Sequence, residues 1–307
     1  MMSRIATTAA LLLAAIHANA DEVRVLTWNV ESSQGNRQTA EPATIMGQLV
    51  ELQRDHGPFD LIGLTEVPGA SAIMYATALQ TPERTYAPVV SSTGGSDRML
   101  ITYDTERFQL VVKEDGLTSH NGQTFPGGNN RRPMFVTLDD RRTGKRLTFM
   151  VNHLNRGNDQ TRRRQAVMLR QWVKDHPHPV IAVGDYNFDF DTLRLCGNQS
   201  MTLFMRDDPS DRGRFAWRWV IPGVETNVTD YRRKNEKVEV IGEFCDTNWS
   251  GDQRGRDRYP TSILDFVFLG GEAMSWGATS EIIVRDDDFP DDERTSDHRP
   301  VMAVVKP

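Results

Sequence analysis

Short apolar runs, each bounded by polar or turn-forming residues, recur from Val23 to the end of the chain. They predict β-strands at Val23–Trp28, Leu61–Thr65, Met99–Tyr103, Phe108–Val112, Met134–Leu138, Leu147–Val151, Val180–Val183, Ile263–Phe268, Ile282–Val284 and Val301–Val305. Helical spacing appears instead at Ile45, Leu49 and Leu52, across Ala70–Leu79, and at Ala166, Leu169, Trp172 and Val173. Strands and helices alternate throughout, with no repeat and no Pro-, Gly- or Ser-rich break between them, so the pattern predicts a single α/β domain. The stretch at about 188–261 is weakly periodic, dense in Arg and Asp, and interrupted by Pro209, Pro222 and Pro260. It predicts a loop-rich insertion with room for a hairpin.

Ahead of the first strand, Arg4, the apolar stretch Ala9–Ile16 and Ala18-Asn19-Ala20 have the order of an export signal with its cleavage site. The expected domain is therefore 21–307, exported to the periplasm or secreted, with an uncleaved anchor as the alternative. That apolar run falls well short of the roughly 20 residues a membrane span needs. An oxidising compartment favours a bond between Cys196 and Cys245, the only two cysteines, and two buried free thiols are the alternative.

Composition narrows the class further. A chain of 307 residues, 38% hydrophobic and 25% charged, can bury a full core, which excludes collagen-like, coiled-coil and wholly disordered chains. The net charge of −6, or −7 once Arg4 is cleaved away, excludes a globally basic nucleic-acid coat. A polyanionic substrate remains possible, because local arginines beside a metal ion can hold phosphate on an acidic protein. Nothing in the sequence points to a stable protein partner.

The candidate chemistry lies where apolar runs end. Val25-Leu26-Thr27-Trp28 ends in Asn29, Leu61–Thr65 in Glu66, Phe149–Asn152 in His153, and Val180–Gly184 in Asp185 with Asn187 beyond it. Strand ends gather active sites in mixed sheets, so these clusters are expected to converge. Near the C-terminus Asp265 lies inside an apolar run and needs a partner, for which His298 in Ser296-Asp297-His298-Arg299-Pro300 is the best candidate.

Taken in order, Thr27-Trp28-Asn29, Leu64-Thr65-Glu66-Val67, Val151-Asn152-His153-Leu154, Gly184-Asp185-Tyr186-Asn187, Leu264-Asp265-Phe266-Val267 and Ser296–Pro300 resemble the endonuclease/exonuclease/phosphatase superfamily. The resemblance implies a deoxyribonuclease-like fold: a two-sheet β-sandwich flanked by helices, in four layers. It implies that Glu66 coordinates a divalent metal, with Asn29 and Asp297 close to the same ion or a second one. Mg²⁺ suits that oxygen set, with Mn²⁺ able to substitute. Asp185 and Asn187 would orient the attacking water and the phosphate, His298 paired with Asp265 would act as general base, and His153 would stabilise charge on a phosphate oxygen. Which of Asp185 and His298 takes the water's proton stays open. Asp97 matches the place of an acidic residue that orients the equivalent of His153 in the deoxyribonuclease branch, and Arg131-Arg132 the place where that branch presents arginine to phosphate. Thr65 and Asn152 depart from the usual Gln and Ser or Thr, which removes no ligand but blurs the subfamily.

The expected activity is Mg²⁺-dependent phosphodiester hydrolysis, with nucleic acid as substrate and Arg254, Arg256 and Arg258 as further phosphate contacts. A sphingomyelinase or phosphomonoesterase of the same fold is the alternative, with phospholipid or phosphomonoester as substrate, and a non-catalytic binding protein a more distant one. Trp217 and Trp219 would stack bases, enter lipid headgroups, or be half buried in a strand. His56, His120, His176 and His178 are expected in solvent, Arg162-Arg163-Arg164 on a solvated helical face, and the acidic runs at 286–288 and 291–293 in a solvated loop.

Overall fold

The apolar runs form strands because both faces of the central ones find cover. In the computed structural model, residues 21–32, 40–69, 72–82, 84–127, 131–191, 197–206, 215–223, 262–285 and 294–307 are described. Strands β1 (Val23–Asn29) and β2 (Leu61–Val67) pair in parallel and alternate with period two. Val23, Val25 and Leu61 join one buried cluster, while Leu26, Trp28, Ile62 and Leu64 join another with Ile45, Leu49 and Leu52 of α1 (Pro42–Asp55) and Tyr75 of α2 (Ala72–Ala78). Burial on both faces explains why these strands read as continuous apolar runs.

The chain continues through β3 (Tyr86–Val90), β4 (Arg98–Asp104), β5 (Phe108–Glu114), the hairpin of β6 (Ser119–His120) and β7 (Gln123–Thr124), β8 (Met134–Asp140) and β9 (Arg146–His153). Then come α3 (Asp159–Asp175), β10 (Val180–Asp191), α4 (Gln199–Met205), β11 (Trp217–Trp219), β12 (Pro222–Gly223), β13 (Ser262–Gly270), β14 (Gly277–Ile282) and β15 (Val301–Lys306). One sheet has seven strands in the order β12-β14-β15-β1-β2-β4-β3, the other six in the order β11-β13-β10-β9-β8-β5. Face to face, with α1 and α2 covering the first and α3 and α4 the second, they make the four-layer sandwich that the resemblance implied.

The sheets meet closely at their centres. A Cβ at Gly63 would stand 2.6 Å from Cγ2 of both Val151 and Val183, so only glycine lets β2 approach β9 and β10 this far. At one end Arg107, fully buried, ties the sheets together: it bonds Asp60, just before β2, at 3.1 Å and Asp140, at the end of β8, at 2.8 Å.

Several expectations are corrected. The strand expected at Ile282–Val284 is Gly277–Ile282, a segment too polar to register as an apolar run. The insertion is less loop-like than its composition suggests, because β10 runs on to Asp191 and α4, β11 and β12 occupy parts of it. Trp217 and Trp219 are buried in β11, facing Phe204, Phe190 and Phe266, so neither stacks on a base nor anchors to lipid. His176 stacks on Trp172 at 4.2 Å and lies 2.7 Å from the Thr148 hydroxyl, and burial pushes its pKa down to about 4. His120 pairs with Asp175 at 2.9 Å. Arg162 is buried. Residues 1–20, both cysteines, Arg254, Arg256, Arg258 and the two acidic runs lie outside the described residues.

Gly63→Ala should destabilise the protein by about 1–3 kcal/mol through overpacking. Gly47→Ala, on the exposed face of α1 with nothing within 4 Å of the new Cβ, should stabilise it by up to about 1 kcal/mol. Urea unfolding of both variants checks the contrast, and equal effects would contradict the close approach of the sheets.

Candidate active site

Parallel pairing at the centre of each sheet decides where the polar residues go. β1 runs beside β2, and β9 beside β10, so their C-terminal ends emerge at one edge of the sandwich. Asn29, Glu66 and His153 sit at those ends, and Asp185 lies level with His153 where β10 bulges. Across the second sheet His153, Asp185 and Asp265 form one row, because Asp185 is the register partner of both. β15 is antiparallel to β1, which returns Asp297 and His298 to the same edge. Glu66 adopts a positive φ of 55° beside a bulge in β2, and Asn187 one of 50° where β10 bulges, so the ladder is broken at the site.

Two imidazoles face this cluster, each backed by a carboxylate. His298 Nδ1 lies 2.6 Å from Asp265 Oδ2, and its Nε2 is 3.3 Å from Asn29 Nδ2 and 3.5 Å from Asp297 Oδ1. His153 Nδ1 is 3.4 Å from Asp97 Oδ1, longer than a made hydrogen bond, and its Nε2 is 3.5 Å from Asp185 Oδ2 and 3.7 Å from Glu66 Oε1. Asp97 is in turn bonded to Arg131. Asn29 Nδ2 donates to Glu66 at 3.0 Å and to Asp185 at 3.2 Å. The Ser296 hydroxyl donates to the Asn29 carbonyl at 2.6 Å and accepts from His298 N at 3.0 Å, holding the last loop to β1.

The electrostatics follow from burial and from these pairings. Burial pushes Asp185 up, but His153, His298, Arg156 and the Asn187 N–H outweigh it and hold the carboxyl below its ordinary range. Asp97 ends low in the same way, burial being overcome by His153 and Arg131. Burial works against a charged His298, yet Asp265, Asp297 and Asp185 raise its pKa well above that of a free imidazole. Burial raises Asp265 too, and its partner only partly offsets this.

The donor set fits a hard divalent ion. Glu66, Asp185 and Asp297 offer carboxylate oxygens, and among the described residues Glu66, Asp97 and His153 present ligand atoms within 4.8 Å of one another. Oxygen donors with an imidazole and no thiolate suit Mg²⁺ or Mn²⁺. Asp97 is already neutralised by Arg131, which makes it the orienting partner of His153. Asn29 needs an amendment to its expected place among the ligands. Its Oδ1 accepts from Glu31 N at 3.1 Å, so it turns its nitrogen to the carboxylates and steadies Glu66 as a donor.

Among the described residues, all but one of the sequence candidates are drawn into this network. Arg132 is the exception: its N–H donates to the Thr93 hydroxyl at 3.1 Å and its stem lies against Gly116, so the two neighbouring arginines part. Two residues escaped the sequence reading. Arg156 donates to Asn187 Oδ1 at 2.8 Å, from a loop position that no periodicity marks. Glu31 accepts from Asp297 N at 2.9 Å, and burial with the nearby Asp297 pushes its pKa up to about 9. It lies beyond the end of β1 at a positive φ of 46°, so strand alternation gave no signal for it.

A model of the endonuclease/exonuclease/phosphatase family matches residues 26–298. No curated protein matches. Among solved structures, the mannosyl-6-phosphatase of Bacteroides thetaiotaomicron VPI-5482 is similar at 18% identity and a TM-score of 0.58, over 92% of this chain and 99% of that one. D. rerio TDP2 complexed with a single-strand DNA product is similar at 16% identity and 0.56, over 93% and 99%. The human nocturnin catalytic domain with bound sulfate is similar at 14% identity and 0.54, over 93% and 94%.

Mg²⁺ or Mn²⁺ at about a hundredfold its dissociation constant should raise the melting temperature by about 5 °C or more, since a ligand of the folded state alone stabilises it. Glu66→Gln should remove most of that shift in thermal scans with and without EDTA. An unchanged melting temperature with either metal would contradict the site.

Proposed function

The chain belongs to the endonuclease/exonuclease/phosphatase family, whose members are metal-dependent phosphoric-ester hydrolases, and we propose that it is an exported phosphodiesterase acting on nucleic acid. One observation carries the diester chemistry: two carboxylate-backed imidazoles turn Nε2 toward the same oxygen-rich cluster. Hydrolysis of an alkyl phosphate ester must take a proton from water on one side of phosphorus and neutralise an alkoxide on the other. A pair of imidazoles held by separate carboxylates supplies one group for each task.

In this reading Glu66 and Asp297 would hold a Mg²⁺ ion, which would supply Lewis-acid polarisation of a phosphoryl oxygen. Asp185 and His298 orient the attacking water, with Asp265 fixing the imidazole so that Nε2 is the atom that moves the proton. His153, aligned by Asp97, offers its Nε2 proton to the leaving oxygen. Asn187 donates from Nδ2 to the Leu154 carbonyl at 3.1 Å and keeps its second amide hydrogen for the phosphate. Arg156, resting on the neutral amide of Asn187, adds positive charge beside the phosphate. Nucleic acid is favoured over phospholipid because the tryptophans that would have met a membrane are buried. TDP2 with its DNA product and the mannosyl-6-phosphatase mark the two substrate classes to be separated.

Purified protein should hydrolyse plasmid or single-stranded DNA or RNA with Mg²⁺ or Mn²⁺, stop in EDTA, and leave sphingomyelin vesicles and sugar phosphates intact. His153→Ala and His298→Ala should each lower turnover by about 10²–10⁴-fold. Undiminished hydrolysis in excess chelator would sink the metal chemistry, and hydrolysis of sugar phosphates alone would replace nucleic acid with a phosphomonoester.

A further inference from the structure

The three consecutive arginines of α3 divide their work. Arg162 turns inward and donates to the carbonyls of Asn155 and Arg156 at 2.8 and 2.9 Å, fixing the segment that leaves His153. Arg163 and Arg164, one and two helical positions further round, line a separate cavity of about 400 Å³ between α3, the β6–β7 hairpin and α4. That volume lies within the range of small-ligand sites. Among the described residues its lining combines the two guanidinium groups with Thr124, Pro126, Val167 and Leu203, and includes no carboxylate. Such a wall selects an anion that carries an apolar body.

The cavity also stands next to the reacting edge. Gln165 accepts from Asn155 N at 2.9 Å and donates to the Pro126 carbonyl at 3.0 Å, so one side chain joins the cavity rim to a residue two positions from His153. The rim is close-packed there, a Cβ at Gly127 standing 3.2 Å from Gln165 Nε2. Through Gln165 the cavity rim is thus tied to the segment that carries Arg156 into the catalytic cluster.

We propose that this cavity is a subsite for a nucleotide flanking the scissile phosphate of a polynucleotide, with Arg163 and Arg164 meeting its phosphate and Val167 and Leu203 its nucleoside. The proposal rests on the nucleic-acid reading above and names where the strand runs. A subsite of this kind acts only on substrates long enough to reach it. A minimal diester meets the catalytic cluster alone.

The test compares a ten-nucleotide single strand with bis(p-nitrophenyl) phosphate. For the double variant Arg163→Ala/Arg164→Ala, and separately for Val167→Trp, which fills the cavity, the ratio of kcat/KM for strand over small diester should fall about tenfold. Arg163→Lys/Arg164→Lys should keep most of the ratio, and Arg142→Ala, at the opposite end of β9, all of it. Strand binding in EDTA should lose about 0.7 from its log–log salt slope for each phosphate contact removed. If the wild type cleaves the strand while both cavity variants keep its ratio and salt slope, the subsite is wrong and the nuclease reading stands. A wild type that hydrolyses the small diester but neither binds nor cuts the strand overturns that reading and the subsite together.

Discussion

The active edge depends on one buried amide. Asn29, at the end of a strand in one sheet, donates from Nδ2 to Glu66 in the same sheet and to Asp185 in the other, and so spans the gap between the layers. Its orientation is not free, because Glu31 N occupies Oδ1. Without this donor two carboxylates would face each other across a dry interface, an arrangement that costs several kcal/mol unless a cation or hydrogen bonds offset it.

The amide can reach both partners only because the sheets approach at Gly63 and are pinned at one end by Arg107. Packing and chemistry are linked through this spacing. Buried pairing of Arg107 with Asp60 and Asp140 makes no contribution to the reaction, yet it holds the layers whose edges carry the reacting groups. The edge itself concentrates like charge and breaks the strand ladder at Glu66 and Asn187, which favours function over stability and leaves a place where a divalent ion would stabilise the fold.

Much of this was legible in the sequence. Strands buried on both faces read as plain apolar runs, and polar residues at their ends marked the edge before any pairing was known. What escaped has physical reasons. β14 is a half-exposed edge-side strand with few apolar residues, and β11 is three residues long. The tryptophans of β11 were ambiguous because an aromatic beside an arginine has the same pattern on a surface as in a core. Arg156 and Glu31 depend on loop geometry and positive φ, which alternation does not report. The parting of Arg131 and Arg132 likewise follows from the positive φ of 33° at Arg131, which turns adjacent side chains to different sides.

On the nucleic-acid proposal a chain of net charge −6 needs a few arginines that keep their charge for phosphate, and their partners sort them. Arg107 and Arg162 are buried and matched to carboxylates or carbonyls, so their charge is consumed by the fold. Arg131 is matched to Asp97, and what reaches the substrate from that pair is chiefly orientation of His153. Arg156 rests instead on a neutral amide beside Asp185 and keeps its charge for the site. On that proposal attraction of phosphate would be confined to a few positions along the edge and the start of α3, on a chain that is acidic overall. Specificity for a phosphate ester would then come from position, since a strand would be held only where its charges coincide with those few guanidinium groups.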